Sequence, residues 1–491
     1  MDELMAQRVA KLDQLRDLGM PPYPTRAVRT HTAAAVTAIV EALPEGQTEA
    51  EGITATVAGR VVARRDMGKA TFIDLLDGSG RIQVLLRQNQ LGDGLYDALR
   101  LVDLGDFVGV TGTPMRTRTG QPTVGATSWV MLAKALHAPP EKYHGLADAE
   151  LRHRRRYLDL MANEDTRERF LVRSKVVAGI RRFLDGRGFI EVETPVLQEA
   201  AGGAAARPFV THYNAIDEDR FLRISLELHL KRLVIGGFEK VYELGRIFRN
   251  EGFGMKYNPE FTMLETYEAY ADYLQVADMV EEMISTVAAE ATGRDVFNFR
   301  GQEISLARPW RRLTFHDALR EYGGLDLDKF PDADSLRAEL ERRGVDAPPG
   351  AGYGKLADEA MSHYVEPNLQ QPTFLMDYPI ELSPLAKRKP ENPRLVERWE
   401  VFIGGFEAGN AYTELNDPID QRQRFEEQLR LRDAGDEEAE LVDEDFLFAL
   451  EHGMPPTGGF GMGIDRLVMI LTEQPTIREV ILFPQLKSVK E

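Results

Sequence analysis

The residues best equipped for chemistry are acidic and basic side chains set at alternate positions along apparent strands. Residues 240–273 read KVYELGRIFRNEGFGMKYNPEFTMLETYEAYADY. Two alternating apolar and polar runs surround a polar, glycine-bearing middle, which predicts a long-looped antiparallel hairpin. Successive strand side chains point to opposite faces, so Phe261, Met263, Glu265 and Tyr267 share a face of the returning strand, and Glu243, Ile247 and Arg249 a face of the outgoing one. Residues 398–416, RWEVFIGGFEAGNAYTELN, predict a second hairpin turning at Gly404-Gly405. Pairing outward from that turn sets Phe402 opposite Glu407 and makes Glu400 a diagonal, same-face neighbour of Glu407. Two carboxylates so placed suit one hard cation, magnesium. Beyond a bulge at Gly409, Asn410, Tyr412 and Glu414 share a face. In a third piece, Gly459, Gly461 and Gly463 permit close backbone approach ahead of a helix with Arg466 in its first turn, where the cation and the helix N-terminus both favour an anion. Two arginines, two carboxylates for a metal and Phe261 as a stacking surface would together bind a nucleoside triphosphate.

Other nucleotide and metal motifs fail. In Gly350–Lys355, GAGYGK, Pro349 stands where a phosphate loop requires glycine, and Leu356 replaces the hydroxyl. GFGMG lacks the spacing of a dinucleotide loop. There is no HExxH and there are only 9 histidines, which argues against a histidine-bound zinc. With 0 cysteines there is no disulfide framework and no thiolate metal site. The net charge of -19 argues against an indiscriminate polyanion binder but leaves room for a local basic surface. No apolar run spans a bilayer and the N-terminal stretch has no secretory core, so the expectation is a cytoplasmic protein with no membrane association.

At 491 residues the chain exceeds a single core. The expectation is an α+β multidomain protein in four parts. Residues 1–50 form a helical segment, with helices near the N-terminus and over 32–43. Residues 51–138 form about five short strands around a short helix, with turns at 66–69 and 77–80 and strand pieces at 107–113, 122–124 and 129–136. That count suits a small closed barrel of the OB type, which commonly grips single-stranded nucleic acid. Arg60, Arg64, Arg65 and Lys69 form a basic patch there, with Phe72 beside it as either a stacking platform or a core residue. Residues 139–165 read as a linker whose run Arg152–Arg156 is either solvated or placed against phosphate. Residues 166–491 hold the chemistry: a long helix from 166, a strand IEVETPVL bearing Pro195, glycine-rich 201–207, helix-rich sequence over 270–365 and β-like sequence over 374–416.

Several of these motifs carry a resemblance to one family. GRIFRNEG followed by NPEFTMLETYEAYADY is similar to the second signature of the class II lysyl-tRNA synthetases, GFGMGIDRLVMILT with TIREVILFP to the third, and GFIEVETPVL to the first. RPFVTHYNA and FLRISLELHLKRLVIGGFEKVYELG match the lysine subfamily in particular. The resemblance runs almost end to end. It implies an antiparallel-sheet catalytic domain flanked by helices, an OB-fold that reads the anticodon of tRNA(Lys), a homodimer with Pro195 at its interface, and ATP-dependent ligation of L-lysine to tRNA with Mg2+. It implies that Arg249 holds the α-phosphate and the lysine carboxylate, that Glu251 meets the adenine amino group, that Phe261 and Arg466 sandwich the adenine, and that Asn258 belongs to the ATP site. Glu400 and Glu407 would bind magnesium. Glu227, Glu265, Tyr267, Asn410, Tyr412 and Glu414 would line the lysine pocket, with Gly203 near the α-amino group, and Arg65, Phe72, Gln83 and Gln121 would meet the anticodon. A pocket with Glu227, Glu265 and Glu414 suits a substrate with two ammonium groups and repels aspartate.

Two departures from the family pattern stand out: Lys256-Tyr257 replaces arginine-histidine ahead of NPEF, and Gln121 replaces a glutamate. The rival readings are a synthetase charging asparagine or aspartate, which the acidic pocket opposes, and an inert paralogue that only binds RNA. Such a paralogue is expected to lose one or more of Arg249, Phe261, Glu400, Glu407 and Arg466, all of which are present.

Overall fold

The structure, a computed structural model, describes residues 3–140, 146, 148–200, 202–204, 206–252, 254–433 and 442–488. Contacts divide the chain into two compact units, Met1–Ala147 and Asp148–Glu491.

In the first unit, β1 (Ala55–Met67), β2 (Ala70–Asp77), β3 (Gly80–Arg87), β4 (Phe107–Arg116) and β5 (Pro122–Ala133) close into a barrel in the order β1-β2-β3-β5-β4. Alternation along the strands sends Val57, Ile73, Leu75, Val84, Val110 and Trp129 into one core. The helix α1 (Glu3–Asp17) is followed by α2 (Ala33–Glu41), which is capped by the Thr32 side chain and places Val36 and Val40 in that core. The strand pieces expected at 122–124 and 129–136 are one strand, kept continuous because Thr127 bulges out opposite Thr111 and Gly112.

The second unit is built on an eight-stranded sheet. After the helix α3 (Glu164–Asp185) come β6 (Ile190–Glu191), the helix α4 (Glu227–Ile235), β7 (Lys240–Phe248), β8 (Glu260–Ala269) and the helix α5 (Tyr273–Thr292). They are followed by β9 (Arg311–Thr314), β10 (Thr373–Met376), β11 (Arg398–Ile403), β12 (Phe406–Thr413), β13 (Thr457–Gly463) and the helix α6 (Ile464–Leu471). The strand order is β9-β10-β11-β12-β13-β8-β7-β6, antiparallel except for the outermost pair at each edge. One face, with Leu264, Trp399, Val401, Phe460 and Met462, packs on Val176 and Ile180 of α3, Val280 and Ile284 of α5, and Leu467 and Val468 of α6. Each such side chain contributes about 2 kcal/mol of apolar burial, which leaves the opposite face for polar residues. A reciprocal capping box between Asp272 and Gln275 starts α5 where β8 ends.

Three expectations are corrected. IEVETPVL pairs with the sheet only at Ile190 and Glu191, because Thr194 is drawn away: its amide and hydroxyl donate to the Glu243 carboxylate at 3.0 and 2.7 Å. The segment 270–365 also contains the strands Val296–Phe299 and Gln302–Ser305 as well as β9. The arginine-rich end of the expected linker falls within the second unit, which begins at Asp148, and of its arginines Arg155 is exposed, Arg152 and Arg154 are half-buried and Arg156 is buried. Arg156 is fully buried, pairs with Asp159 and donates to the carbonyls of Arg478, Ile481 and Leu482. Among the described residues no helix is long and apolar enough to cross a membrane.

Candidate active site

The polar face of the sheet is organised around β13. Gly459 lies between Tyr412 of β12 and Tyr267 of β8, and Gly461 lies between Asn410 and Glu265. Two rows of polar side chains therefore face each other across a floor without side chains. A Cβ at Gly459 would stand 1.9 Å from Glu414 Oε1 and 2.6 Å from Tyr267 Cε1, so no other residue leaves that floor open. The expected turn at Gly404-Gly405 forms with both φ angles positive, at 65° and 74°. The bulge falls one residue before the expected Gly409: Val401 pairs with Gly409 and Phe402 with Glu407, leaving Ala408 as the extra residue. It turns Glu407 to the face that carries Glu400 and Asn410.

Three carboxylates meet beside this floor. Glu265 Oε1 accepts from Ser225 Oγ and from the Leu226 amide, both at 3.0 Å, and its other oxygen accepts from the Tyr267 hydroxyl at 3.1 Å. Glu227 opens α4, and Gly203 packs over it and Ser225. Glu414 has no exposed surface, and neither of its oxygens has a well-directed hydrogen-bond donor among the described residues. The Lys231 ammonium stands between Glu227 and Glu414, 2.5 Å from a carboxylate oxygen of each. The pocket is therefore not purely acidic. Burial works against charge on Lys231, but the two glutamates outweigh it and keep it protonated well above the ordinary lysine range.

Burial and the charge of Glu227 push Glu265 up to about 7, against its three hydrogen bonds. Burial, with Glu227 and Glu265 alongside, pushes Glu414 up to about 8 against the pull of Lys231. An empty pocket thus carries protons at neutral pH that a bound cation displaces. A lysine-type side-chain ammonium keeps its charge to about pH 10, so kcat/KM for a substrate carrying one is expected to rise as pH increases through 7 to 8 and then level off. A pH profile of amino-acid activation checks this, and a flat profile would contradict the raised carboxylates.

Next to this pocket is a cleft of about 140 Å3 lined by Arg249, Glu251, Asn258, Phe261, Glu407, Asn410 and Arg466, among others. The half-buried Arg249 guanidinium lies 5.3 Å from the Phe261 ring centroid. Arg466, in the first turn of α6, donates to the Glu407 carbonyl at 2.7 Å and to its carboxylate at 3.2 Å. Asn258 spends its amide on the Glu260 carbonyl at 2.6 Å, which makes it a support for the loop in this conformation. Tyr257, at one of the two departures from the family pattern, lies 5.7 Å from the Arg466 guanidinium.

Glu400 and Glu407 share a face near this cleft, and burial together with Glu407 pushes Glu400 up to about 7, against Arg398, which donates to it. No group of three or more potential metal ligands occurs among the described residues. Two carboxylates on one face fit magnesium, which commonly completes its shell with water and substrate phosphate.

In the barrel, Arg65 pairs with Phe72 across β1 and β2, its guanidinium 5.9 Å from the ring centroid. Phe72 is half-buried and stands outside the barrel core, which favours the stacking alternative over the core one. Gln83 lies on the same face; its amide donates to Gln121 Oε1 at 3.3 Å and its carbonyl accepts from Thr123 at 3.1 Å.

Sequence reasoning passed over Lys231, Arg398 and Ser225. The signal for Lys231 was present: it lies four residues after Glu227, on a helix face with Leu230 and Val234 buried around it.

Residues 148–487 match the family model for class II tRNA synthetases (D, K and N), and residues 55–132 match that for OB-fold nucleic acid binding domains. The chain is 52% identical to the lysine–tRNA ligase of Dehalococcoides mccartyi, covering 99% of this chain and 97% of the relative. It is 51% identical to that of Moorella thermoacetica, covering 100% and 99%, and 51% identical to that of Roseiflexus castenholzii, covering 99% of each. The sheet, the barrel and these matches together place the chain in the class II tRNA synthetase family of the D, K and N group.

Proposed function

We propose that the lysine specificity of this ATP-dependent tRNA ligase resides in Glu227, Glu265 and Glu414. The observation that carries the reading is their burial on the same sheet face as the cleft of Arg249, Phe261 and Arg466. Lysine brings two ammonium groups to these acids, with Gly203 near the α-amino group and Tyr267, Asn410 and Tyr412 as walls. Its carboxylate, held by Arg249, attacks the α-phosphate of ATP in line; a P–O bond forms as pyrophosphate leaves, giving lysyl-adenylate. Phe261 and Arg466 hold the adenine, Glu251 reads its amino group, and Asn258 supports the loop. Glu400 and Glu407 hold Mg2+, which when bound neutralises charge on the phosphates. The 3′-terminal ribose hydroxyl of tRNA(Lys) then takes the lysyl group and releases AMP. Amino-acid-dependent ATP–pyrophosphate exchange over a panel of amino acids tests this: exchange with lysine alone is expected, and exchange led by aspartate or asparagine would refute it.

The barrel reads the anticodon, with Phe72 stacking on a base and Arg65, Gln83 and Gln121 beside it. Stacking is worth about 1–3 kcal/mol per base, so Phe72→Ala is expected to raise the KM for tRNA(Lys) by about tenfold or more while leaving pyrophosphate exchange unchanged. Loss of exchange would show that Phe72 supports the fold instead.

The enzyme works as a homodimer. The strand β6 is the last at its edge of the sheet, and Ile190, Val196 and Leu197 in and just after it are exposed, which is costly for a lone chain. Sedimentation at twice the 55.2 kDa chain mass is expected, and a stable monomer would rule it out. Its tRNA partner supports a cytoplasmic location, which cell fractionation checks.

A further inference from the structure

Lys231 is a cation buried in a pocket built for a cation. It has no exposed surface, its ammonium lies 2.5 Å from both Glu227 and Glu414, and the Phe446 ring centroid is 5.8 Å away. The groups facing it are Glu227 on its own helix, Glu414 just past β12, and that ring, with Tyr267, Tyr412 and Glu265 beyond the glutamates. With all three ionised around a bound cation, three carboxylates against one internal ammonium leave two negative charges, matching the two ammonium groups of free lysine once its carboxylate is taken by Arg249. The bridge also has direction: Lys231 engages Glu414 through Oε2, while Oε1, lying against Gly459, has no donor among the described residues.

We propose that Lys231 is a positioning and specificity-determining residue, whose resident ammonium ties Glu227 to Glu414 and sets both the charge of the pocket and the direction in which each glutamate meets the substrate. This rests on the assignment of the three glutamates to lysine. A buried carboxylate that loses its ion-pair partner takes up a proton or swings away. Removing Lys231 therefore weakens lysine binding even though it removes a competing positive charge.

The test is pyrophosphate exchange with Lys231→Met. The KM for lysine is expected to rise about a hundredfold at pH 7.5, with kcat and the KM for ATP within about threefold. The pH at which kcat/KM for lysine rises is expected to move up by about one unit or more, because two carboxylates lose their cation. A lysine KM that falls or stays unchanged would overturn the proposal, as would equal losses for both substrates with an unmoved pH profile. If Lys231→Met does not fold, Lys231→Arg and Lys231→Gln decide: the arginine variant is expected to bind lysine at least about tenfold better than the glutamine variant, and equal behaviour or failure of both to fold would overturn the proposal. Glu414→Gln separates the two levels of the argument. If it leaves lysine binding intact, the pocket assignment itself fails; if it weakens lysine binding while Lys231→Met does not, only the role of Lys231 fails.

Discussion

Replacing Glu414 with glutamine is expected to raise the KM for lysine by two to three orders of magnitude while changing the KM for ATP by less than about threefold. Losing one partner of a buried, desolvated charge pair costs about 2–5 kcal/mol, and each 1.4 kcal/mol is a factor of ten. Glu414 has no exposed surface, and among the described residues Lys231 engages its Oε2 while nothing donates to its Oε1, so a substrate ammonium is the complement for Oε1. Glutamine keeps the shape and removes the charge, which isolates the electrostatic contribution. The variant also leaves Lys231 with Glu227 as its remaining carboxylate contact in the pocket, so its thermal stability should be measured alongside. Pyrophosphate exchange at varied lysine and varied ATP gives both constants. Equal loss for the two substrates would remove Glu414 from the ammonium end of the pocket.

Arg249→Ala is expected to slow adenylate formation by about a thousandfold, the scale of removing one preorganised charge from a developing phosphoryl transition state. Arg249 follows β7 directly, and its amide continues the ladder by donating to the Pro259 carbonyl at 2.8 Å, so the backbone fixes where the guanidinium starts. Among the described residues its guanidinium makes one hydrogen bond, a long one of 3.4 Å to the Ile224 carbonyl, which leaves it available to phosphate and carboxylate oxygens. Single-turnover formation of lysyl-adenylate measures the chemical step. A variant that loses lysine affinity but keeps the wild-type rate at saturation would show that Arg249 only binds substrate.

Alternation in the two hairpins makes most of this candidate site legible in the sequence. Strand geometry leaves little choice once the turn is known, and Gly404-Gly405 fixed the register that sets Phe402 against Glu407. The bulge was expected at Gly409 and sits at Ala408; either position returns Glu407 and Asn410 to one face, so the functional consequence survived the shift. What local pattern could not convey was which long-range partner each charge would find. Nothing local to Lys231 points to a second carboxylate, and only the return of the chain some 180 residues later brings Glu414 against it. The arginine run at 152–156 failed for the same reason. Its partner Glu479 lies more than 300 residues downstream, where it accepts from Arg152 at 3.0 Å and from Arg169 at 2.5 Å. IEVETPVL reads as a full strand because its composition favours one, but the Thr194 amide and hydroxyl go to the Glu243 carboxylate instead of to a neighbouring strand.

The central claim is that buried glutamates beside β13 receive the ammonium groups of lysine. A crystal structure of the enzyme with lysine and a non-hydrolysable ATP analogue tests it most directly. The expected result is a lysine side-chain ammonium within about 3 Å of the Glu414 carboxylate, with the lysine carboxylate at Arg249. Lysine lying elsewhere on the sheet, with Glu414 and Glu265 contacting protein groups alone, would contradict it.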